Sequence, residues 1–568
     1  MSQNVYEPVN KTIDVLKNIT SSVKFPVDKG AMHTIYETVQ ASSASSSGVK
    51  YQLTVSDGQV VDTVVELSNQ IAFGVSGTST TTPYLYNFGV DTCFSDYPLM
   101  SCMQTLTLTL DSSPISTEIG ENFDLIKELF DDDFVKRSQN YCPTQRDIFF
   151  NPSSCANTPN DVFSTGTIAS FEKSRGAYFY DLSPAACRSA VAMAAGTPRA
   201  ETITVTLKEL LNLKPFLSKK YGGLSGIRTF SLSYTFVPPS ACCAIRNRNA
   251  LIDTAKFTIT SITPTMANCS MKVKLLTPFP SFQLPSRSIR TYNNYNRSTV
   301  SGAVPAIPVG SISTKINFVN QKLEVVPSLI AFAVRPQKSA KTPQMSDSYL
   351  PIQSLSITLG TTQNLLASAS FSDLYQLRRD SGASHNNWLV YSGFSLGNEG
   401  LQYNVPAVAA GAATPALTQA LISPSTPSLI SMCGNVLLIK TCFMELSDYM
   451  AGGQVSSGLN FSGALTVLNN TGAIIAAANN YEVVSWAVSE GLIASEAGQT
   501  VVAPSVLSKD DVLKVSHESF TNLNVASLEG GKSWIDEREA NMSGKGMGYS
   551  RGMMASGKKS TAFSKLKF

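Results

Sequence analysis

The sequence predicts an all-β protein in which one large sandwich of strands occurs twice along the chain. Three observations favour this fold class. Short segments with alternating polar and apolar residues recur throughout, helical patterns are rare, and one block of strand followed by helix is repeated. Many short strands with turn signals and few helices are typical of a sandwich or a jelly roll. The 568 residues suffice for two large all-β domains.

Strands are predicted where Val, Ile, Thr and aromatic residues alternate with polar ones. In the segment from Gln104 to Leu110, every Leu points to one side and every Thr to the other, which is the period of two of a half-buried strand. Seven further segments show the same pattern: Lys50 to Ser56, Glu201 to Leu207, Thr229 to Val237, Lys256 to Ile262, Ser354 to Leu359, Leu459 to Leu468 and Glu482 to Val488.

Two helical patterns interrupt the strands. A looser one covers Thr362 to Arg379, and the clearer one covers Asn122 to Phe134. Four large apolar residues of the clearer pattern share one face at helical spacing, namely Phe123, Ile126, Leu129 and Phe130.

A strand followed by a helical pattern occurs in each half of the sequence. The segment from Tyr97 to Leu110 is similar to that from Tyr349 to Leu359, with Thr105-Leu106 placed over Thr358-Leu359. One such similarity could arise by chance, because strands rich in Ser, Thr and Leu look alike. The ordered pair of strand and helix indicates a duplication of one β unit.

The composition favours a structural protein made inside a cell. Hydrophobic residues make up 43% of the chain and charged residues only 15%, whereas a typical soluble domain has about 25% charged residues. This balance suits sheet walls and buried subunit contacts. The N-terminus lacks a signal-peptide pattern, and no apolar run approaches the roughly 20 residues of a membrane span. We therefore expect no membrane insertion.

Catalytic and metal-binding patterns are weak. The three histidines, His33, His385 and His517, lack metal-ligand spacing, and the ten cysteines include no C-x-x-C pair. We expect reduced, mostly buried thiols. The run Asp131-Asp132-Asp133 is more typical of a solvated helix end than of paired catalytic carboxylates. The sequence predicts no catalytic residue, no metal and no cofactor.

The C-terminal segment has a different character from the rest. Strand patterns fade from about Ala497, and residues 541–568 contain no Asp or Glu. They do contain six basic residues: Lys545, Arg551, Lys558, Lys559, Lys565 and Lys567. This composition cannot bury enough apolar surface to offset the entropy of ordering, so we predict a flexible tail. The whole chain has a formal charge of +3, so the net positive charge comes from the tail.

Several short blocks follow one another in a distinctive order between about residues 90 and 495. They are Asp91 to Leu110, Val326 to Val334, Leu355 to Gly393 with a Gln363-Asn364 turn, Gly434 to Lys440 and Val483 to Leu492. In this order the chain resembles the double jelly-roll major capsid proteins of virophages and of Polinton-like or adintovirus-like DNA viruses. Two segments depart from the family pattern: Leu359 to Thr362 replaces a Trp-Asn-Asn, and Ala451 to Gly453 replaces an Ala-Pro-Gly.

The resemblance implies both fold and function. It implies two tandem upright eight-stranded jelly rolls, at residues 36–287 and 288–496, between an N-terminal arm (1–35) and a C-terminal segment (497–568). Three chains give six jelly rolls, so a homotrimer mimics a hexagon and can tile an icosahedral shell. The implied partners are neighbouring capsomers, penton and minor capsid proteins and a viral maturation protease. The implied location is the virion, assembled inside the host cell.

Two tail sequences fit the patterns of adenovirus-type maturation proteases. One is Leu528-Glu529-Gly530-Gly531 before Lys532, and the other is Met542-Ser543-Gly544-Lys545 before Gly546. Small glycines let an extended strand enter a narrow cleft, and flexible segments are cut most easily. Met450-Ala451-Gly452-Gly453 also matches, so the pattern alone leaves cleavage open.

An uncut tail has two further candidate roles. It could contact the DNA genome non-specifically through phosphates, or hold a minor protein beneath the shell. The residues concerned are Arg551, Lys558, Lys559, Lys565 and Lys567.

Three other classes compete with a double jelly-roll capsid protein. A secreted lectin or adhesin should carry a signal peptide, and neither it nor a polysaccharide-active enzyme explains a duplication with a basic tail. A glycosidase needs two carboxylates facing each other across a cleft, which the sequence alone leaves open. A single-jelly-roll capsid protein of an RNA virus is disfavoured because both halves look like the same unit.

Overall fold

The computed structural model describes most of the chain between His33 and Ala503, within one compact unit that ends at Val506. Residues 1–32 and 504–568 lie outside the description. So do 80–83, 89–91, 131–141, 145–185, 215, 217–222, 248–256, 279–286, 302–303, 308–311, 314, 326, 339–340, 342, 344–348, 361, 384–387, 398–401, 405–417, 421–427, 432–433, 442–453, 470–480 and 497.

The described elements of the first half are mostly antiparallel strands. In chain order they are β1 His33–Gln40, β2 Ser43–Ser45, β3 Gly48–Thr54, β4 Val60–Gly77, β5 Thr92–Phe94, α1 Pro98–Ser101, β6 Met103–Leu110, β7 Ser113–Thr117, α2 Ile119–Glu128, β8 Arg199–Leu210, β9 Thr229–Phe236, a 3-10 turn Pro239–Ala241, β10 Ile245–Asn247 and β11 Thr258–Thr277.

The second half has the same character. Its described elements are β12 Arg287–Ser301, β13 Ile316–Val325, β14 Leu329–Pro336, β15 Ile352–Leu359, β16 Thr362–Leu365, α3 Phe371–Asp380, α4 Trp388–Ser392, β17 Phe394–Gly397, β18 Gln402–Asn404, β19 Thr418–Ala420, β20 Ser428–Ser431, β21 Leu437–Lys440, β22 Gln454–Val467, β23 Tyr481–Glu496 and β24 Gln499–Ala503.

The first half forms a jelly roll of two antiparallel sheets. One sheet has the order β1-β11-β4-β8, and the other has β2-β3-β9-β6-β7. Without the three-residue strand β2, eight principal strands remain, four in each sheet. When these eight strands are numbered along the chain, one sheet contains the first, eighth, third and sixth, in that spatial order. The other sheet contains the second, seventh, fourth and fifth. Alternating side chains such as Phe73, Leu108 and Phe230 meet between the sheets in one apolar core.

The second half repeats this topology strand for strand. Its sheets have the orders β12-β23-β14-β21 and β13-β22-β15-β16, and β24 is added beside β23. The eight principal strands again follow the order first, eighth, third, sixth and second, seventh, fourth, fifth. Phe318, Phe332 and Phe461 meet in its core, with ring centroids 5.1–5.9 Å apart. The predicted duplication and the predicted all-β class are therefore confirmed.

The repeated block has a definite register. Strands β6 and β15 show the same sequence of buried and half-buried residues, and each turns back through a hairpin that pairs Leu110 with Ser113 and Leu359 with Thr362. The residue after each strand, Asp111 or Gly360, has a positive φ of 54° or 61°. Leu110 therefore corresponds to Leu359, and the predicted placement of Thr105-Leu106 over Thr358-Leu359 is four residues out of register.

The helical predictions are partly wrong. Helix α2 begins at Ile119, before the predicted Asn122, and residues 131–134 lie outside the description. The predicted helix from Thr362 to Arg379 is a strand, β16, over its first four residues, and α3 begins only at Phe371. The side chains of Ser370 and Asp373 form a capping box that fixes this start.

One further predicted feature differs from the structure. Gln363-Asn364, expected as a turn, lies within β16, beside a register irregularity opposite β15. Three short strands, β18, β19 and β20, lie between residues 402 and 431. All eight predicted strand segments overlap observed strands.

The domain limits predicted at 36, 288 and 497 stay predictions. The described strands of the first jelly roll span 33–277, and those of the second span 287–503. Among the described residues, no helix is long and apolar enough to cross a membrane.

Candidate functional site: the interface between the two jelly rolls

Helix α2 lies between the two jelly rolls and contributes to both. It follows β7 directly and packs beside β6 of its own jelly roll. Ile119 and Ile126 point into the first core. Leu125, fully buried on another face of the helix, belongs to an apolar cluster formed otherwise by the second jelly roll. The helix therefore joins the two halves through two different faces.

The surface that receives α2 is the outer face of a sheet in the second jelly roll. In β14, Ile330, Phe332 and Val334 point into the core of the second jelly roll. The intervening residues Leu329, Ala331 and Ala333 point outward into the cluster with Leu125. Both faces of β14 are thus buried, which explains its continuous apolar sequence.

Trp486 of β23 anchors this contact. Its side chain is fully buried among the outward-facing residues, and its Nε1 donates a hydrogen bond to Oδ1 of Asn122 in α2 at 3.0 Å. A buried indole needs such an acceptor. Packing and hydrogen bonding therefore select one orientation of α2 on the sheet.

An ion pair links the C-terminal ends of α2 and α3. Glu128 accepts a hydrogen bond from Nη2 of Arg378, and both side chains are fully shielded from solvent. The same guanidinium donates to the backbone carbonyls of Val436 at 3.0 Å and Ala383 at 3.2 Å. A buried charge is tolerated when its donors and its charge are both matched, and each of the three nitrogens of Arg378 has an acceptor here.

Arg335, near the end of β14, forms a second buried group with carboxylates of both halves. It contacts Asp124 of α2, and its Nε donates to Oε1 of Glu482 at 2.9 Å. Burial opposes ionisation of Asp124, but the charges of Arg335 and Lys127 outweigh it and hold the pKa of that carboxyl well below its usual range. Asp124 is therefore ionised across the physiological range.

Strand β24, which belongs to the second jelly roll, provides a further connection to the hairpin between β6 and β7 of the first. Oγ1 of Thr500 donates to Oδ2 of Asp111 at 2.6 Å, and Oγ of Ser113 donates to the carbonyl of Thr500 at 2.5 Å. Nζ of Lys214 lies 2.6 Å from Oε1 of Glu490. The two halves thus meet along several elements.

The first jelly roll also contains a buried carboxylate. Glu209 of β8 accepts hydrogen bonds from the backbone N–H groups of Leu99 at 2.5 Å and Met100 at 2.9 Å, in the first turn of α1. Burial raises the pKa of Glu209 to about 8, against the lowering effect of these two donors. The buried carboxylate thus stabilises the first turn of α1 within the first jelly roll.

The residues singled out in the sequence are distributed as follows. Those of the tail, Gly531, Lys532, Lys545, Gly546, Arg551, Lys558, Lys559, Lys565 and Lys567, lie outside the described residues, as do His385, His517 and the Asp131 run. His33 is exposed on β1. The structure describes no cluster of His, Cys, Asp or Glu that could hold a metal.

None of the described cysteines forms a disulfide bond. Five of the seven are buried, and Cys187 and Cys243 are half-buried. Sγ of Cys102 and Sγ of Cys242 lie 3.6 Å apart in the first core.

Sequence reasoning missed the interface residues. Arg335 follows an uninterrupted apolar run in β14, and a strand of that kind is buried on both faces, so its lone arginine must find buried carboxylates. The acidic residues Asp124 and Glu128 are spaced one helical turn apart in α2. Together these two patterns could have indicated a buried charged interface.

Comparison with known proteins agrees with this architecture. A family model for the first domain of the Sputnik virophage major capsid protein matches residues 9–276, and one for the C-terminal domain of major capsid protein V20 matches residues 286–491. The two domain models together span most of the chain. The chain belongs to the virophage major capsid protein family.

Individual relatives of this virophage-type protein are distant in sequence. A Sputnik virophage protein, capsid protein V20, is 23% identical over 387 residues, which are 65% of this chain and 62% of the relative, less than two thirds of its length. The cryo-EM structure of Sputnik virophage matches with a TM-score of 0.66 and 18% identity, covering 91% of this chain and 95% of the other. The mavirus major capsid protein matches with a TM-score of 0.59 and 15% identity, covering 87% and 95%.

The family membership decides between the classes considered for the sequence. These relatives are capsid proteins and not enzymes. A structural protein is therefore confirmed over a lectin or a polysaccharide-active enzyme, and the virion is confirmed as the expected location. The structural matches show a double jelly roll, which excludes the single jelly roll with a protruding domain.

Proposed function

We propose that three copies of this chain form a pseudo-hexagonal capsomer that tiles the icosahedral shell of a DNA virus. The observation that carries the proposal is the seam between two jelly rolls of identical topology within one chain. Within one chain, the first jelly roll contacts the second through α2. If every jelly roll contacted the next one through the corresponding helix, three chains would close a ring of six jelly rolls. Closed symmetry of this kind is the usual outcome for homo-oligomers.

Helix α3 is the element that would build the seam between chains. It lies after the fifth principal strand of its jelly roll and packs beside β15, as α2 does in the first. Its outer residues Asp373, Gln376 and Arg379 are exposed, whereas α2 is almost entirely buried. Tyr375 and the 37% exposed Trp388 form an aromatic contact beside it, with ring centroids 5.3 Å apart.

The receiving surface would be the outer sheet of the first jelly roll. Its strand β4 corresponds to β14, but outward residues such as Gln70 and Ala72 are only half-buried in the single chain. On β1, an edge strand of the same sheet, Tyr36 is 63% exposed. If a second copy placed its α3 on this face, it would bury the surface of the first jelly roll that corresponds to the one that α2 covers on the second.

The test is the oligomeric state of the purified protein, measured by light scattering after size exclusion and by negative-stain microscopy. We expect threefold particles with a hexagonal outline. Ala72→Arg places a long cation in the proposed seam and should give folded monomers, whereas the matched Ala72→Ser should stay trimeric. A monomeric wild-type protein, or an Ala72→Arg variant that remains trimeric, would contradict the proposal.

The remaining partners follow from the same role. Neighbouring capsomers, penton and minor capsid proteins would contact the outer surfaces, and a maturation protease would cut at Gly531–Lys532 or Lys545–Gly546. An uncut basic tail would contact the genome without sequence preference. The sequence patterns at these positions support this part of the proposal.

A further inference from the structure

A cavity of about 320 Å³ lies at the interface between the two jelly rolls. Glu121, Asp124 and Lys127 of α2 form one wall, and Arg335 and Lys338 at the end of β14 form another. The cavity is thus lined by charged groups of both jelly rolls.

Positive charge predominates on the walls of this cavity. The cationic lining residues are Lys127, Arg246, Arg335, Lys338 and Lys341. The anionic ones are Asp96, Glu121 and Asp124. The described lining thus carries two more positive than negative charges, in a place where partial burial weakens screening by water.

One carboxylate oxygen serves three of the cations around the cavity. Oε2 of Glu121 lies 2.6 Å from Nη1 of Arg297, 3.7 Å from Nζ of Lys338 and 3.9 Å from Nη2 of Arg335. Only the first distance is that of a hydrogen bond. The carboxylate is therefore committed to Arg297, and it does not serve as a hydrogen-bond acceptor for Nη2 of Arg335 or Nζ of Lys338.

Arg335 gives independent support for a missing partner. Its side chain is only 5% exposed, and its Nη2 is buried without a hydrogen-bond acceptor among the described residues. A buried guanidinium N–H without an acceptor is costly. An oxygen atom inside the cavity would supply that acceptor.

Lys338 is a second cation on the cavity wall, with a side chain that is 32% exposed and an Nζ that lies 3.7 Å from Oε2 of Glu121. Burial, and next the neighbouring charge of Arg335, lower the pKa of Lys338 to about 8, although Asp124 and Glu121 partly oppose this and Lys341 adds to it. An anion placed between Lys338 and Arg335 would offset the repulsion between these two cations.

We propose that the cavity binds a small polyanion with phosphate or carboxylate oxygens, held by Nη2 of Arg335 and Nζ of Lys338. The planar guanidinium and the ammonium group are the usual ligands of such oxyanions. The volume exceeds that of a single phosphate, so a ligand with at least two charged groups fits the space. Because α2 of the first jelly roll lines the same cavity, an ion held there by the second jelly roll would lie within their interface and stabilise it.

Isothermal titration calorimetry of the full-length protein tests the proposal at pH 7 and fixed ionic strength. The probes are inorganic pyrophosphate and malonate, which distinguish a phosphate site from a carboxylate site. We expect one saturable site for at least one probe. Lys338→Met should weaken binding about tenfold, whereas the control Lys322→Met, at an exposed lysine of β13, should bind like the wild type.

The outcomes are separable from the fold and from the oligomeric state. Lys338→Met removes a repulsive charge, so its unliganded unfolding midpoint should not fall, and Lys338→Gln provides a second variant at the same position. Neither capsomer formation nor its absence affects the prediction, since the cavity lies within one chain. The absence of saturable heat with millimolar pyrophosphate and malonate, or equal weakening by Lys338→Met and Lys322→Met, would overturn the proposal.

Discussion

Glu128 and Arg378 form an ion pair fully shielded from solvent, although they belong to different jelly rolls and lie 250 positions apart in sequence. Each lies in the last turn of a helix that packs on its own jelly roll. The pair therefore fixes the two helices, and through them the two halves, in one relative position.

Removal of one partner of this pair should be costly. We expect Arg378→Met to lower the free energy of unfolding by about 3–5 kcal/mol, because Glu128 would stay buried without its cation. The double variant Glu128→Gln/Arg378→Met should recover much of that loss. Urea denaturation measures both effects. The control is Arg379→Met, at the exposed neighbour, which should change the free energy of unfolding by less than about 0.5 kcal/mol. If Arg378→Met and Arg379→Met lowered that free energy equally, the result would count against a stabilising role of the ion pair.

The buried Glu209 should make stability depend on pH. Its folded-state pKa of about 8 lies above the ordinary value of 4.5, so between these values the folded protein binds a proton that the unfolded chain releases. The free energy of unfolding should therefore fall as pH rises from 4.5 to 8, by as much as about 5 kcal/mol. Glu209→Gln should flatten this slope in urea titrations. The control Glu490→Gln, at the half-exposed partner of Lys214, should leave the pH dependence unchanged. If the stability of Glu209→Gln depended on pH as steeply as that of the wild type, the pH dependence could not be assigned to Glu209.

Thiol reactivity should separate the described cysteines. Burial raises the pKa of Cys102 and Cys142 well above the ordinary value, and the thiolate is the reactive form. We expect iodoacetamide to modify half-buried Cys187 and Cys243 in the native protein before Cys102 and Cys142. Peptide mapping by mass spectrometry gives the order, and modification of Cys102 as fast as that of Cys243 would contradict the burial pattern.

Processing of the tail has a direct readout. We expect the protein from mature virions to end near Gly531 or Lys545, because both positions follow protease-type sequences in a segment of low complexity. Intact-mass spectrometry of virions measures the end, with the recombinant protein as the uncut control. Retention of Phe568 in virions would exclude cleavage.

The fold was predictable because its signals are local and repeated. The alternation of Leu and Thr from Gln104 to Leu110 predicts strand β6 directly, and its recurrence before α3 indicates the duplication. The register of the repeat was four residues wrong for a physical reason. An even shift leaves every inward residue inward, so only the hairpin turns at Asp111 and Gly360 fix the alignment.

The interface was harder to predict because it joins residues far apart in sequence. Periodicity in α2 identifies Ile126 as a core residue, but it cannot say what Leu125 contacts on another face. Only the three-dimensional arrangement places Leu125 against Trp486 of the other half. Likewise, the residues around 365 gave no clear pattern for the start of α3. The capping box of Ser370 and Asp373 was the sequence signal that marks this start.

The shared position of α2 also bears on how the protein responds to force. Because one short helix is part of two cores, the halves have no hinge at this point, and strain applied to one jelly roll passes into the other through side chains already in contact. Neither half could be loosened or removed without exposing the indole of Trp486 and the outward alanines of β14. A shell assembled from such units would flex between molecules rather than within them.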